Sequence, residues 1–285
     1  MTDRLDRMVG RPDRAPLTNP RAERVRAVAA LAGRSARQRS GRFLVEGPQA
    51  VREAVGHAPG SVRAVYLSDE AAARYAEIED AAADAGLPVW LGTPAVLDAM
   101  SADAQGVVAV ADRLAPTLGD VLAAGPRLVA LLANVRDPGN AGTVIRAADA
   151  AGADAVVVSE AGVDVFNPKV VRATAGSLFH LPVVTGAGVP AAVAALRAAG
   201  LTVLAAEGAG ELDLDALQDA AGSGAEPDLA RPTAWLFGNE AWGLPDEDVA
   251  LADAAVRVPI RGAAESLNLA TAAAICLFAS ARAHR

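Results

Sequence analysis

Leu128-Val-Ala-Leu-Leu-Ala133 runs straight into Asn134-Val-Arg-Asp-Pro-Gly-Asn-Ala-Gly-Thr-Val-Ile-Arg146. The first six residues are apolar without a break, too short for a helix and suited to a strand buried on both faces. Asp137-Pro138-Gly139 then makes a turn, and a helix is predicted to begin near Asn140 and to cover Gly142 to Ala151. Strand, polar turn and helix in that order are the repeating unit of a parallel α/β sheet. The unit recurs to the C-terminus. Strands are predicted at Ala155 to Ser159, Pro182 to Val184, Thr202 to Ala206, Ala234 to Phe237 and Ala255 to Val258. Helices are predicted at Pro168 to Ala175, Pro190 to Ala199, Asp213 to Ala220, Asp246 to Leu251 and Leu269 to Ala283. Ligands of such sheets bind beyond the carboxyl ends of the strands, which marks where chemistry is to be sought.

Upstream, shorter elements alternate in the same way. Phe43 to Val45, Val62 to Leu67, Pro88 to Leu91 and Val107 to Val110 read as strands, and Pro48 to Val55 and Ala71 to Ala85 as helices. Pro116, Gly119, Gly125 and Pro126 punctuate residues 113–126, which read as a linker. The expected organisation is a basic, disordered tail over 1–20, a small α/β domain over 21–112, and a parallel-sheet domain over 127–285. Residues 221–231 read as a mobile loop.

The 285 residues are 52% hydrophobic, mostly alanine and valine in short runs, and the mean hydropathy is +0.26. No run reaches the roughly 18 apolar residues of a membrane span, and the N-terminus lacks the apolar core of a signal peptide. The expectation is a cytoplasmic protein with no membrane partner. One cysteine, Cys276, excludes internal disulfides and multi-cysteine zinc sites, and no metal is expected. Net charge is −8, yet residues 1–42 hold 11 arginines against 4 acids, leaving −15 on the other 243 residues. A concentrated basic arm on an acidic body is a polyanion footprint, and Arg34, Arg37, Arg39 and Arg42 are the candidate RNA contacts.

Three polar clusters fall at predicted strand ends. The first holds Asn140 and, six residues on, Arg146. The second is Leu236-Phe-Gly-Asn-Glu-Ala-Trp-Gly243, where Glu240 stands in a glycine-bounded loop that lets backbone approach a ligand. Trp242 beside it is expected to pack. The third is Val258-Pro-Ile-Arg-Gly-Ala-Ala-Glu-Ser-Leu267 with Asn268, in which a glycine turn delivers Ser266 and Asn268 to a helix start. Read singly, each cluster is a helix cap or an ordinary turn. Together they stand on one edge of one sheet.

The clusters resemble, in order and approximate spacing, the three motifs of the SpoU (TrmH) family of RNA ribose 2′-O-methyltransferases, of the SPOUT class. The first motif matches Asn140-Ala-Gly142 and Arg146, the second Gly238-Asn-Glu240-Ala-Trp-Gly243, the third Pro259, Gly262 and Ser266-Leu-Asn268. Ile260 departs from the methionine often found there. Gly41-Arg-Phe-Leu-Val-Glu-Gly47 is similar to the family's small RNA-binding domain. The resemblance implies a deep trefoil knot, a homodimer, S-adenosylmethionine as cofactor and methylation of a ribose 2′-hydroxyl in RNA; ribosomal and transfer RNA are both open, with ribosomal RNA favoured by the N-terminal RNA-binding domain. It further implies cofactor contacts from Gly238, Val258 and Leu267, with Leu236 and Ile260 as weaker candidates.

Arginine's pKa above about 12 disfavours a general base, so Arg146 is read as a clamp on phosphate and incipient alkoxide. Glu240 then orients Arg146 or meets the cofactor's cation, while Asn140, Ser266 and Asn268 hold the ribose. Two rivals stay open. A nicotinamide-dependent oxidoreductase fits the strand, glycine turn and helix, though not the G-x-G-x-x-G spacing. A non-catalytic RNA-binding protein on the same scaffold is the other.

Overall fold

A computed structural model describes residues 15–285, so residues 1–14 of the expected basic tail lie outside the described residues. The chain divides into two compact units, Met1–Asp112 and Arg113–Arg285.

In the first unit the described elements are α1 (Glu23–Ala29), α2 (Arg34–Ser40), β1 (Arg42–Glu46), α3 (Pro48–His57), β2 (Val62–Ser68), α4 (Asp69–Arg74), α5 (Ala76–Asp84), β3 (Val89–Gly92), α6 (Pro94–Met100) and β4 (Val107–Asp112). The sheet order is β1-β4-β2-β3. β4 pairs antiparallel with β1 and β2, and β3 parallel with β2. Leu44, Tyr66 and Val108 on one sheet face pack with Val25 and Val28 of α1 and Leu97 of α6. The single helix expected over 71–85 is two, broken where Tyr75 takes φ −123° and ψ 48°. An aromatic residue is a weak helix former, and it stands at the break.

The second unit starts inside the expected linker. Residues 113–126 contain a helix, α7 (Leu118–Ala123). Thr117 Oγ1 accepts from Asp120 N at 3.1 Å and Asp120 Oδ2 from Thr117 N at 3.0 Å, a reciprocal cap that the proline and glycine count overlooks. Val121 of α7 is buried in this unit's core.

Then follow β5 (Leu128–Leu132), α8 (Pro138–Ala150), β6 (Ala155–Ser159), α9 (Pro168–Ala173), β7 (Val183–Ala187), α10 (Val189–Ala198), β8 (Thr202–Ala206), β9 (Leu212–Asp213), α11 (Leu214–Ala220), β10 (Thr233–Phe237), α12 (Asp246–Val249), β11 (Ala254–Arg257) and α13 (Leu269–Ala283). The seven strands are all parallel, in the order β7-β6-β5-β10-β8-β11-β9. β5, β6 and β10 are buried along their whole length, as unbroken apolar runs require in a sheet covered on both faces. α8 begins a turn earlier than expected, because Asp137 Oδ1 accepts from Asn140 N at 2.8 Å and Pro138 suits the first helical position. The loop over 221–231 is tied down by Asp228, whose carboxylate accepts from Gly222 N and Ala230 N, each at 2.9 Å. Those two donors hold its pKa below the usual carboxylate value. No described helix is long and apolar enough to cross a membrane.

Candidate functional site

Because β10 lies between β5 and β8, with β11 beyond β8, four carboxyl ends stand side by side. The loops leaving them carry all three polar clusters. The first loop bends at Asn134, which takes a left-handed φ of 56°. Its N–H donates to Ser159 Oγ at 2.9 Å and its carbonyl accepts from Asn239 Nδ2 at 2.8 Å. The second loop closes on itself: Asn239 and Gly243 exchange two backbone hydrogen bonds of 2.9 Å. Here glycine is obligatory at 238, since a Cβ would sit 2.4 Å from the carbonyl carbon of Gly243. Arg136 of the first loop lies over the Trp242 ring of the second at 5.4 Å. Trp242 is 56% exposed, contrary to the packing role expected for it.

The third loop joins the first through one bond. Asn268 caps α13, its Oδ1 accepting from Ala270 N at 2.9 Å, while its Nδ2 donates to Asn140 Oδ1 at 2.9 Å. Asn268 therefore caps the helix with one side-chain atom and ties the third cluster to the first with the other. Gly262 has open space around it and no left-handed φ, so the expected glycine turn does not need a glycine.

Between these loops lies a cavity of about 650 Å³. Of the sequence candidates, Gly238, Glu240, Val258, Ile260, Ser266 and Leu267 line it. Leu236 does not: it is wholly buried in the sheet core, facing neighbouring strands and helices. Asn140, Asn268 and Arg146 are not among the lining residues. Arg146 is exposed on α8 and makes no hydrogen bond or ion pair among the described residues, so no ion pair joins it to Glu240.

Sequence reasoning missed Glu207 and Gly208, which also line the cavity. They follow β8, a strand read to the residue from sequence, but nothing in the sequence shows β8 next to β10. Arg257, another lining residue, bonds the carbonyls of Gly210 and Glu211 at 3.0 Å and Asp213 at 3.3 Å. The carboxylates Glu207, Glu240 and Glu265 therefore set a negative cavity, walled on other sides by Val258, Ile260, Leu267 and Leu269. Such a site suits a ligand with a cationic centre and a flat apolar part. Arg261 is paired with Asp215 at 2.7 Å. Cys276 is fully buried, and burial pushes its thiol up to about 12.

In the N-terminal unit, Arg34, Arg39 and Arg42 are exposed. Arg37 is a correction to the RNA-contact set. It is 2% exposed, and its Nη1 donates to the carbonyls of Leu31 at 2.9 Å and Ala32 at 2.7 Å, closing the turn before α2. Spacing alone gives no sign that one arginine of the series turns inward.

Residues 127–278 match the SpoU rRNA Methylase family, and residues 44–117 match the family described as RNA 2′-O ribose methyltransferase substrate binding. The chain is 34% identical over 247 residues to a 23S rRNA (guanosine(2553)-2′-O)-methyltransferase of Bacillus subtilis, covering 85% of this chain and 89% of that one. It is 32% identical over 267 residues to a 23S rRNA (uridine(2479)-2′-O)-methyltransferase of Streptomyces viridochromogenes, covering 89% and 87%. The crystal structure of an AdoMet-bound rRNA methyltransferase from Sinorhizobium meliloti is similar with a TM-score of 0.78 and 30% identity, over 94% of this chain and 97% of that one. With the methylase region spanning more than half its length and such relatives along most of it, the chain belongs to the SpoU rRNA methylase family.

Proposed function

We propose that this protein transfers a methyl group from S-adenosylmethionine to a ribose 2′-hydroxyl of RNA, ribosomal rather than transfer RNA. The observation that carries this reading is the cavity at the ends of β8, β10 and β11, negative and apolar by turns, with Asn140 and Asn268 joined beside it. Relatives named as 23S rRNA 2′-O-methyltransferases support the ribosomal substrate. The residues present fit the cofactor: Val258, Ile260 and Leu267 for its apolar ring face, Gly238 and Gly208 for close backbone approach, and Glu207, Glu240 and Glu265 for its cation. When bound, the cofactor supplies an activated methyl on a positively charged sulfur.

The chain's own work is positioning and charge stabilisation. Arg146, exposed and unpaired among the described residues, is free to clamp an RNA phosphate and steady the alkoxide as the hydroxyl loses its proton. Asn140 and Asn268 hold the ribose, and Ser266, on the cavity wall, adds a hydroxyl to that set. Glu240 serves the cofactor side, a role favoured by its place on the cavity wall and its lack of a bond to Arg146. Residues 21–112 hold the RNA, with Arg34, Arg39 and Arg42 among the contacts.

The active form is a homodimer, a reading supported by Ile275 and Phe278, which leave an apolar stripe 40% and 50% exposed on α13. The trefoil knot belongs to the same proposal, supported by the late strand β10 entering between β5 and β8. A reducing, cytoplasmic place of action suits an RNA substrate and a lone buried thiol.

Tritium transfer from labelled cofactor into RNA of a strain lacking the gene tests the reading, and mapping of the 2′-O-methyl position names the nucleotide. Arg146→Ala is expected to lower transfer by about 100-fold or more with cofactor binding retained. Near-normal transfer by that variant overturns the role of Arg146. No transfer into any RNA favours the binding-only alternative.

A further inference from the structure

The N-terminal unit has a cavity of its own, about 720 Å³. Its walls come from α1, β1, β2 and β3: Arg24, Arg42, Arg63, Tyr66 and Trp90. The Arg24 guanidinium lies over the Trp90 ring, 3.7 Å from its centroid. Tyr66 is 5% exposed, yet its hydroxyl has no hydrogen-bond partner among the described residues, and none of those residues has a side-chain polar atom sealed away without one. The hydroxyl therefore opens into the groove. Burial pushes the phenol pKa up, while the charges of Arg24 and Arg42 pull it down, which puts both guanidinia within electrostatic reach of that oxygen.

At the rim, Asp112 holds two arginines in place. Arg63 Nε donates to Asp112 Oδ2 at 2.7 Å, and Arg42 Nε stands 3.6 Å from Oδ1. Three guanidinia, of Arg24, Arg42 and Arg63, face two carboxylates here, Asp112 and Glu23, and Arg21, Arg26, Arg34 and Arg39 of the neighbouring segment are also exposed. A flat stack of aromatic ring and guanidinium, an open phenol and a basic rim recognise a planar, hydrogen-bonding group attached to an anion.

We propose that this groove is a subsite for an unpaired nucleobase of the RNA substrate, stacked on the Arg24–Trp90 pair with the Tyr66 hydroxyl on its edge and Arg42 and Arg63 beside its phosphate. The inference rests on the reading that the substrate is RNA. It adds that the N-terminal unit selects an unpaired nucleotide rather than a continuous duplex, whose bases are stacked and closed to such a groove.

Fluorescence anisotropy of the full chain with a labelled single-stranded 12-mer RNA, and with the same strand in a duplex, tests it. The single strand is expected to bind more tightly. Trp90→Ala and the exposed Arg24→Ala are each expected to weaken it about 5- to 100-fold, and Trp90→Phe to recover most of the loss. Thermal melting and cofactor affinity check that each variant is folded. Should Trp90→Ala prove unfolded, Arg24→Ala and crosslinking of a 4-thiouridine 12-mer to the 62–68 or 89–92 peptides carry the test. Single-strand affinity unchanged in folded variants, or crosslinks elsewhere only, overturns the subsite. Loss of binding in the variants of a chain that methylates no RNA leaves the subsite standing and removes the methyltransferase reading.

Discussion

Asn268 does two jobs with two atoms, and substitution can separate them. Asn268→Ala removes the cap and the bond to Asn140, and is expected to cost about 1 kcal/mol of stability along with most activity. Asn268→Asp keeps a good capping oxygen but no Nδ2 donor, so melting should recover while methyl transfer does not. Cys276 gives a test by pH. Its thiol is raised from 9.0 to about 12 by burial, so the unfolded chain ionises first. Stability is expected to fall as pH rises through that interval, and Cys276→Ala to flatten the slope, as read by denaturant unfolding. At this scale the sequence was legible wherever a residue type is demanded by its loop. Gly238 and Asn268 are such cases. It was not legible where direction decides: Leu236 and Gly238 are two residues apart, yet one is sealed in the sheet core and the other lines the cavity.

Elements with strong ends were read well. The bounds of α13 and β8 follow from the sequence to the residue, because an asparagine cap and an unbroken apolar run each mark a sharp limit. The first turn of α8 escaped the sequence reading because its aspartate cap went unrecognised, and α7 was hidden among prolines and glycines. β9, two residues long, shows no period to read. One contact binds an element on which the site depends. Trp235 Nε1 on β10 donates to Ser280 Oγ on α13 at 2.9 Å, with both residues fully buried. Trp235→Phe leaves that hydroxyl without its donor and trims a packed ring, an expected loss of about 1–3 kcal/mol in chemical denaturation. Ser280→Ala in the same background should restore part of it, since removing both partners leaves no buried polar group unmatched.

Over the whole chain, a parallel sheet could be inferred from alternation, whereas strand order could not. Parallel strands of similar composition carry no mark of their neighbours, which is why Glu207 and Gly208 went unnoticed. The exposed stripe on α13 leads to a prediction about assembly. Phe278→Asp is expected to give a monomer by sedimentation, folded but with little methyl transfer, and a variant that stays dimeric and active overturns the α13 interface.

The place of β10 has a further consequence, for the order of events at birth. β5 and β8 are both synthesised before Thr233, β5 about a hundred residues earlier, and each keeps an open edge until β10 arrives to fill the gap between them. On the β5 side the paired residues are 105 positions apart, Thr233 against Leu128, a separation that slows closure. The ligand cavity, built from the loops after β8, β10 and β11, is therefore assembled last. The loops that line it are complete only once β11 and the start of α13 have been made, and any stall before residue 237 leaves two sticky strand edges for chaperones to guard.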